Sequence, residues 1–492
     1  MSTVTTHIRA QAPLWRNFWV IAVALIALRV LTLMFTPLGL GPDETQYWYW
    51  SRALDFGYFS KPPLIAWAIG LTTALFGNAE WAARLSAPLF HFGAAAFLYV
   101  TAKRLFDDRI ALWTGLSWLL MPGVILSSFI MATDAPLLFF WSAALYFLVR
   151  IIDAPSASLA DFAGLGSMIG LGMMSKYAMI YFPVAMALCL FIKPLREKLL
   201  RPPLLLTVLI ALLIFAPNIV WNANHDFQTL SHTAANAHWS EDLIKPLSLL
   251  EFLGGQLAVF GVIPFGALIW IVANKQNWKL NEKSLLLLIF SLTPLIIVAA
   301  QAFLSRAHAN WAAAAYPAAS LLVTGMLLQS GKAMWVKISA GFHALVFIGF
   351  TCGVLAPTLI DNVGLARAVK DLRGWKTQTG EILSDASGYD AVLIDDRYLM
   401  GEMLYHQRGS DIEIAAIDPN ASIDNHFEAF RGFDAARMKR NLFVTTRDDA
   451  RHIDYRFHTI IPVAVVDATP GKGQQRRYRL YEVSDYFGPD GN

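Results

Sequence analysis

Long apolar runs broken by short polar segments fill the first 356 positions of the chain. Runs close to the roughly 20 residues that cross hydrocarbon fall near 18–36, 86–102, 110–130, 134–152, 160–175, 177–192, 203–221, 247–272, 284–304, 311–329 and 333–356, which predicts about eleven transmembrane helices. The 160–175 and 177–192 runs are short and parted only by "SKY", so one is expected to tilt or the pair to re-enter the membrane. Residues 62–77, "PPLIAWAIGLTTALFG", are apolar but only about 16 long and open on two prolines. A crossing there would put every later basic loop on the wrong side, so the stretch reads as an interfacial helix. The first run lacks a small-x-small cleavage site and reads as an uncleaved helix. From about 361 the pattern shortens to β-branched runs: "AVLI" (391–394), "EIAAI" (413–417), "NLFVTT" (441–446), "TIIPVAVV" (459–466) and "RRYRLYEV" (476–483). Helical stretches at 398–407 and 424–439 lie between them, which predicts a separate α/β domain over 361–492.

Composition fixes the solvent. With 56% hydrophobic and 15% charged residues, against about 25% charged in soluble domains, and a mean hydropathy of +0.47, residues 1–356 form a polytopic α-helical membrane domain carrying a C-terminal α/β soluble domain. Lys and Arg concentrate in alternate connections: Arg9 and Arg16; Lys103, Arg104 and Arg109; Arg150; Lys193, Arg196, Lys198 and Arg201; Lys275, Lys279 and Lys283; Lys332 and Lys337. That side is expected to be cytoplasmic, with the amino terminus inside. The segment 37–85, the turns at Asp134 and Lys176, 222–246, 305–310 and everything after 357 then lie outside. A net charge of +3, spread over short segments, gives no face for nucleic acid. Cys189 and Cys352 both fall in apolar spans, leaving no cysteine for a disulfide or thiolate metal cluster outside them. "GLGSMIG" (164–170) follows no strand and is not a dinucleotide loop; Gly166 and Gly170 fit the small-xxx-small spacing of helices packed in lipid. No G-x-x-x-x-G-K-[ST] run points to ATP.

Charges beside a bilayer are costly, so those on the less basic side are the candidates for function. Asp43 and Glu44 open the aromatic stretch "TQYWYWSRAL", either as helix caps or as a base at a cavity mouth. Lys61 is followed by two prolines, which hold it in extended geometry, so it is either an aimed cation or a snorkelling one. Asp134 in "MATDAPLLFFW" caps a span or serves the cavity, and Arg306 and His308 in "SRAHANWAAAAYP" are an interfacial anchor or a seat for phosphate. Glu80 and Arg84 have the spacing of a helical ion pair, and Lys176 stands at a span end. His225, Asp226, His232 and His238 match no compact metal pattern.

An acidic pair after the first span, then "YWYWSRAL", "KPPLIAW", "EWAARLSAPLF", "MATDAPLLFFW" and "HANWAAAAYPAAS", in this order, resemble the membrane-embedded GT-C glycosyltransferases that take sugars from polyprenyl phosphates. The lipid A aminoarabinose transferases and the wider protein O-mannosyltransferase-like family are similar over roughly 15–330. The resemblance implies an inverting transfer at the outer face of the inner membrane, from a polyprenyl-phosphate-linked sugar to a glycolipid, lipopolysaccharide or protein acceptor. By position it makes Asp43 the catalytic carboxylate with Glu44 beside it, and Lys61 the contact to the donor phosphate. Asp134 becomes the second acid, holding sugar or acceptor, and Arg306 and His308 further phosphate contacts. Tyr47, Trp48, Tyr49, Trp50 and Trp67 would offer faces to a prenyl chain or sugar ring. Ser60 stands where some relatives carry an acid or histidine, so a divalent metal is an option and not a requirement. A transporter or flippase of lipid-linked sugars is the alternative outside the enzyme class; it calls for inverted repeats and midplane charges, which the sequence lacks. A protein O-glycosyltransferase is the alternative within it.

Overall fold

The computed structural model describes residues 14–154, 157–235, 244–274, 281–418, 420 and 422–488, so Arg9, His238, Lys275 and Lys279 lie outside the described residues. Every predicted apolar run is helical. Among the described residues seven helices are long and apolar enough to cross a membrane, and nine if each of two sharply bent pairs is one span. One bent pair is the 247–272 run, which divides into Pro246–Val259 and Val262–Ala273 with a 119° bend. Gly261 makes the corner at φ 103°, where a side chain would be strained. The 110–130 run likewise breaks into Asp108–Leu120 and Pro122–Ser127, because Pro122 starts a new helix instead of continuing the old one. The 160–175 run is one short helix, Leu159–Ser175, while 177–189 is a 3₁₀ turn followed by Tyr181–Cys189.

Helix Asp134–Asp153 runs through the middle of the bundle, buried over 78% of its apolar window, whereas Leu204–Ala223 is buried over only 17% and presents its apolar surface outward. Those two helices are joined through Leu159–Ser175. A Cβ on Gly166 would stand 2.5 Å from the Thr207 carbonyl oxygen and one on Gly170 2.8 Å from Ile214, so the small-xxx-small pair sets this close approach. The basic loops expected on one side do meet at one end of the bundle. Arg104 Nε and Lys283 Nζ reach Asp153 at 3.2 and 2.7 Å, and Lys198 pairs with Glu282.

The soluble domain is a five-stranded sheet in the order β2-β1-β3-β5-β4, where β1 is Ala391–Ile394, β2 Glu413–Ala416, β3 Arg440–Thr445, β4 Phe457–Gly471 and β5 Gln474–Tyr486. The first three are parallel, with Val392 paired to Ile414 and Leu442, and β5 and β4 complete an antiparallel edge. The wholly apolar "AVLI" run is buried throughout, as a parallel strand covered on both faces requires. The helix expected over 424–439 shrinks to His426–Phe430. Residues 431–433 leave it because their backbone pairs with the sheet edge, Ala416 N–H donating to the Arg431 carbonyl and Phe433 N–H to that of Ala416, at 2.8 Å each.

The two domains meet at several places near the first span, among them the Gly39 N–H donating to the Leu372 carbonyl at 2.9 Å. Helix Pro42–Trp50 crosses helix Arg397–His406 so closely that a Cβ on Gly401 would lie 2.7 Å from Thr45 Oγ1. Trp48 packs edge-on to Tyr405 at 5.0 Å, Tyr49 lies 5.5 Å from Phe427 and Trp50 5.4 Å from His426.

Candidate active site

The connector after the first span starts helix Pro42–Trp50 at Gly41, whose N–H donates to Glu44 Oε2 at 2.9 Å. The Glu44 carboxylate then turns inward. Arg84 Nε and Nη2 donate to Oε1 and Oε2 at 2.8 and 2.6 Å, and the Met131 N–H donates to Oε1 at 2.9 Å. Both side chains are sealed, at 1% exposure for Arg84 and 2% for Glu44. Arg84 also donates to the carbonyls of Leu38 and Gly39. One sequence expectation is corrected here. Arg84 pairs with Glu44 and not with Glu80, and both Glu44 oxygens, expected beside the catalytic carboxylate, accept hydrogen bonds that tie down the connector.

Asp43 points the other way, its side chain 62% exposed. Its Oδ1 accepts from Arg397 Nη2 at 3.0 Å, and Arg397 Nη1 donates to Gln46 Oε1, also at 3.0 Å. Burial pulls the Arg397 guanidinium down, but the charges and hydrogen bonds of Asp43 and Tyr398 together hold it above its ordinary value. Lys61 belongs to the same electrostatic neighbourhood. Burial first, and then Lys176, push its pKa down, while Asp43 and Asp134 push it up and Arg397 down. Asp134 is engaged by Lys176 Nζ at 2.8 Å and by Asn310 Nδ2 at 3.2 Å. The Tyr47 phenol, buried in this group, is raised by desolvation and then by Asp43.

Beside these charges is a cavity of about 380 Å³ walled by Lys61, Lys176, Ile180, Ile297, Val298 and Trp311, with Ser60 at its edge. Its lining sets two lysines beside apolar and aromatic side chains, with Thr233 and Gln301 among them, a mix that suits an anion with a hydrocarbon tail. The loop bearing Lys61 is held from below. Trp221 Nε1 donates to Asp55 Oδ2 at 2.7 Å, Asn218 Nδ2 to the Phe56 carbonyl at 2.7 Å, and Thr229 Oγ1 to the Tyr58 carbonyl at 2.7 Å.

The remaining candidates divide. Arg306 and His308 are exposed in the turn that leads to Asn310 and Trp311, and His308 packs edge-on to Trp311 at 5.3 Å. They share that turn with two residues of the site. Trp67 does not reach the carboxylates; its Nε1 donates to the Asp55 carbonyl at 2.9 Å and its ring meets Phe56 at 5.7 Å. Trp48, Tyr49 and Trp50, expected to face lipid or sugar, are instead spent on docking the soluble domain, through edge-on and tilted ring contacts to Tyr405, His426 and Phe427. His225 stacks on Trp221 at 4.0 Å. Among the described residues no three His, Cys, Asp or Glu come together as a metal site. Sequence reasoning missed Arg397 altogether. Its only local signal is the charged run "DDR" (395–397) directly after a buried strand.

The Dolichyl-phosphate-mannose-protein mannosyltransferase family profile matches residues 60–221. The chain is 33% identical over 422 residues to the lipid A galacturonosyltransferase RgtD of Rhizobium johnstonii, covering 85% of this chain and 88% of that one. The lipopolysaccharide core galacturonosyltransferase RgtB of the same organism is 26% identical over 304 residues, 57% of this chain and 60% of its own. Among solved structures, ArnT from Cupriavidus metallidurans in the apo state superposes with a TM-score of 0.68 at 16% identity, over 95% of this chain and 98% of that one. The same protein bound to undecaprenyl phosphate superposes with a TM-score of 0.65 at 16% identity, over 94% and 98%. At such identities the structures speak for the fold alone.

Proposed function

The chain belongs to the polyprenyl-phosphate-dependent GT-C glycosyltransferases, and from that premise we propose that it transfers a uronic acid from a polyprenyl phosphate to a hydroxyl of lipid A or of the lipopolysaccharide core, with inversion, at the outer face of the inner membrane. The relatives named for galacturonic acid transfer support the sugar and the acceptor. The meeting of the basic loops at one end of the bundle, which is the cytoplasmic end by the positive-inside rule, supports the membrane face.

The observation that carries the reading is a cavity lined by Lys61, Lys176 and several apolar side chains, with Asp134 bonded to Lys176 and both Asp43 and Asp134 within electrostatic reach of Lys61. Asp43 orients the acceptor hydroxyl and takes its proton as the oxygen attacks the anomeric carbon. The new C–O bond forms as the bond from that carbon to the phosphate oxygen breaks, and the lipid phosphate leaves with the electron pair. Lys61 meets the growing negative charge, where a single well-placed donor in a dry site is worth about 3 kcal/mol. Asp134, fixed by Lys176 and Asn310, receives sugar hydroxyls. The prenyl chain lies along Ile180, Ile297, Val298 and Trp311. Arg306 and His308 lie in the turn beside it and are the reserve contacts to phosphate.

The test is transfer in proteoliposomes holding the full chain, a polyprenyl-phosphate uronate and a lipid A or core glycolipid, read by mass spectrometry. A gain of one uronic acid on the glycolipid, lost in Asp43→Asn, is expected. Full transfer by Asp43→Asn, or a gain only on a protein acceptor, rejects the reading.

A further inference from the structure

We infer that Arg397, carried by the soluble domain, is a positioning residue for Asp43, so that the active site is complete only when the two domains are docked. This rests on the reading of Asp43 as the carboxylate that receives the acceptor proton. Asp43 stands in the first turn of its helix with a largely exposed side chain, and among the described residues only Arg397 bonds to its carboxylate. Without that contact the carboxylate swings freely in water. Arg397 fixes it through two points. Nη2 takes Asp43 Oδ1 and Nη1 takes Gln46 Oε1, three residues and nearly one turn further along the same helix, so the planar fork sets a direction that a lysine cannot reproduce. Oδ2 remains for the acceptor hydroxyl.

The fork is itself held in place. Asp396 caps the helix by accepting from the Leu399 N–H at 2.7 Å, and the Tyr398 ring lies 4.7 Å beneath the guanidinium. Gly401 against Thr45, Trp48 against Tyr405, and the Tyr405 hydroxyl donating to the Asn78 carbonyl at 2.7 Å dock the helix without help from the ion pair. A pair as exposed as Asp43–Arg397 adds little to stability. Its placement on the reacting carboxylate is what calls for explanation.

The experiment uses the full chain in proteoliposomes with a polyprenyl-phosphate uronate and a lipid A precursor. Arg397→Gln is expected to lower kcat about 100-fold, the scale of a misplaced reacting group, while donor KM stays within about twofold. Arg397→Lys recovers part of the rate. The double variant Asp43→Asn with Arg397→Gln loses no more than Asp43→Asn alone, because both act through one carboxylate. Tyr405→Phe, which cuts the bond to Asn78 at the same interface, lowers the thermal midpoint and keeps kcat. Wild-type kcat in Arg397→Gln, a loss that multiplies with that of Asp43→Asn, or a Tyr405→Phe variant with the same kcat defect would each overturn the inference. If Arg397→Gln does not fold, Gln46→Leu frees one arm of the fork and is expected to cost about tenfold in kcat; an unchanged rate there counts against it. Full activity in Asp43→Asn would remove the catalytic reading and this inference together, whereas an inactive Asp43→Asn beside an active Arg397→Gln removes this inference alone.

Discussion

Two neighbouring carboxylates, Asp43 and Glu44, each pair with an arginine, and the two pairs have opposite surroundings. Glu44 and Arg84 are sealed at 2% and 1% exposure, while Asp43 and Arg397 are open at 62% and 35%. The sealed pair has every oxygen committed to the connector between the first span and the helix bundle. In the open pair Arg397 holds one Asp43 oxygen, Oδ1, and among the described residues no bond to the other is formed. Consecutive residues at the start of a helix project about 100° apart, so one looks into protein and the other out of it. Adjacency in the chain therefore says nothing about a shared role, and the proposed reading makes the first acid the reagent and the second the anchor.

Removing the anchor should have the largest effect. Glu44→Ala leaves the Arg84 charge buried and unpaired, a cost of about 3–5 kcal/mol, seen as a sharp loss of folded, monodisperse protein in detergent. Replacing both members by apolar residues of similar volume should recover much of it. Asp43→Asn should do the reverse, leaving the thermal midpoint unchanged and lowering kcat by about 100-fold or more. Lys61→Met should come next, raising donor KM about tenfold through loss of a charge-assisted bond to phosphate. Because burial and Lys176 hold the Lys61 pKa below that of a free lysine, the alkaline limb of kcat/KM should also fall earlier than a free lysine would give, and Lys176→Gln should move it upward.

The smallest effect concerns the docked domain that carries Arg397. Burial lowers the pKa of His406 to about 4 and of His426 to about 3, against about 6.5 when unfolded. The unfolded chain thus binds more protons between these limits, so the stabilising term is complete above about pH 6.5 and is lost as pH falls through that window. Thermal melts over this range should show the slope, and His426→Phe, which keeps the packing against Tyr49 and Trp50, should flatten it.

The membrane domain was readable because lipid imposes a length and a polarity on every span. Its breaks at Gly261 and Pro122 were visible as residues but not as bends. The strands were readable too, down to the four residues of "AVLI", because a strand buried on both faces has to be apolar throughout. The 424–439 helix failed since pairing of 431–433 with a sheet edge overrode local propensity. In the site, Asp43, Lys61 and Asp134 were visible as charges where charges are expensive. Arg397 was not, because a cation in a soluble domain is ordinary until the fold sets it beside an acid some 350 positions earlier, with |i−j| = 354. The aromatics of "QYWYW" marked a surface that gets covered and left open whether lipid, sugar or protein covers it.

By itself the sequence determined the solvent, the apolar spans and the residue types offered at the candidate site, since hydrophobic length and charge placement are local properties that any bilayer enforces. Only the tertiary structure decided which acid is buried, which cation meets which carboxylate, and that the soluble domain reaches Asp43 through Arg397. Those depend on distances between segments remote in the chain, and a few ångströms there separate a sealed brace from an open reagent.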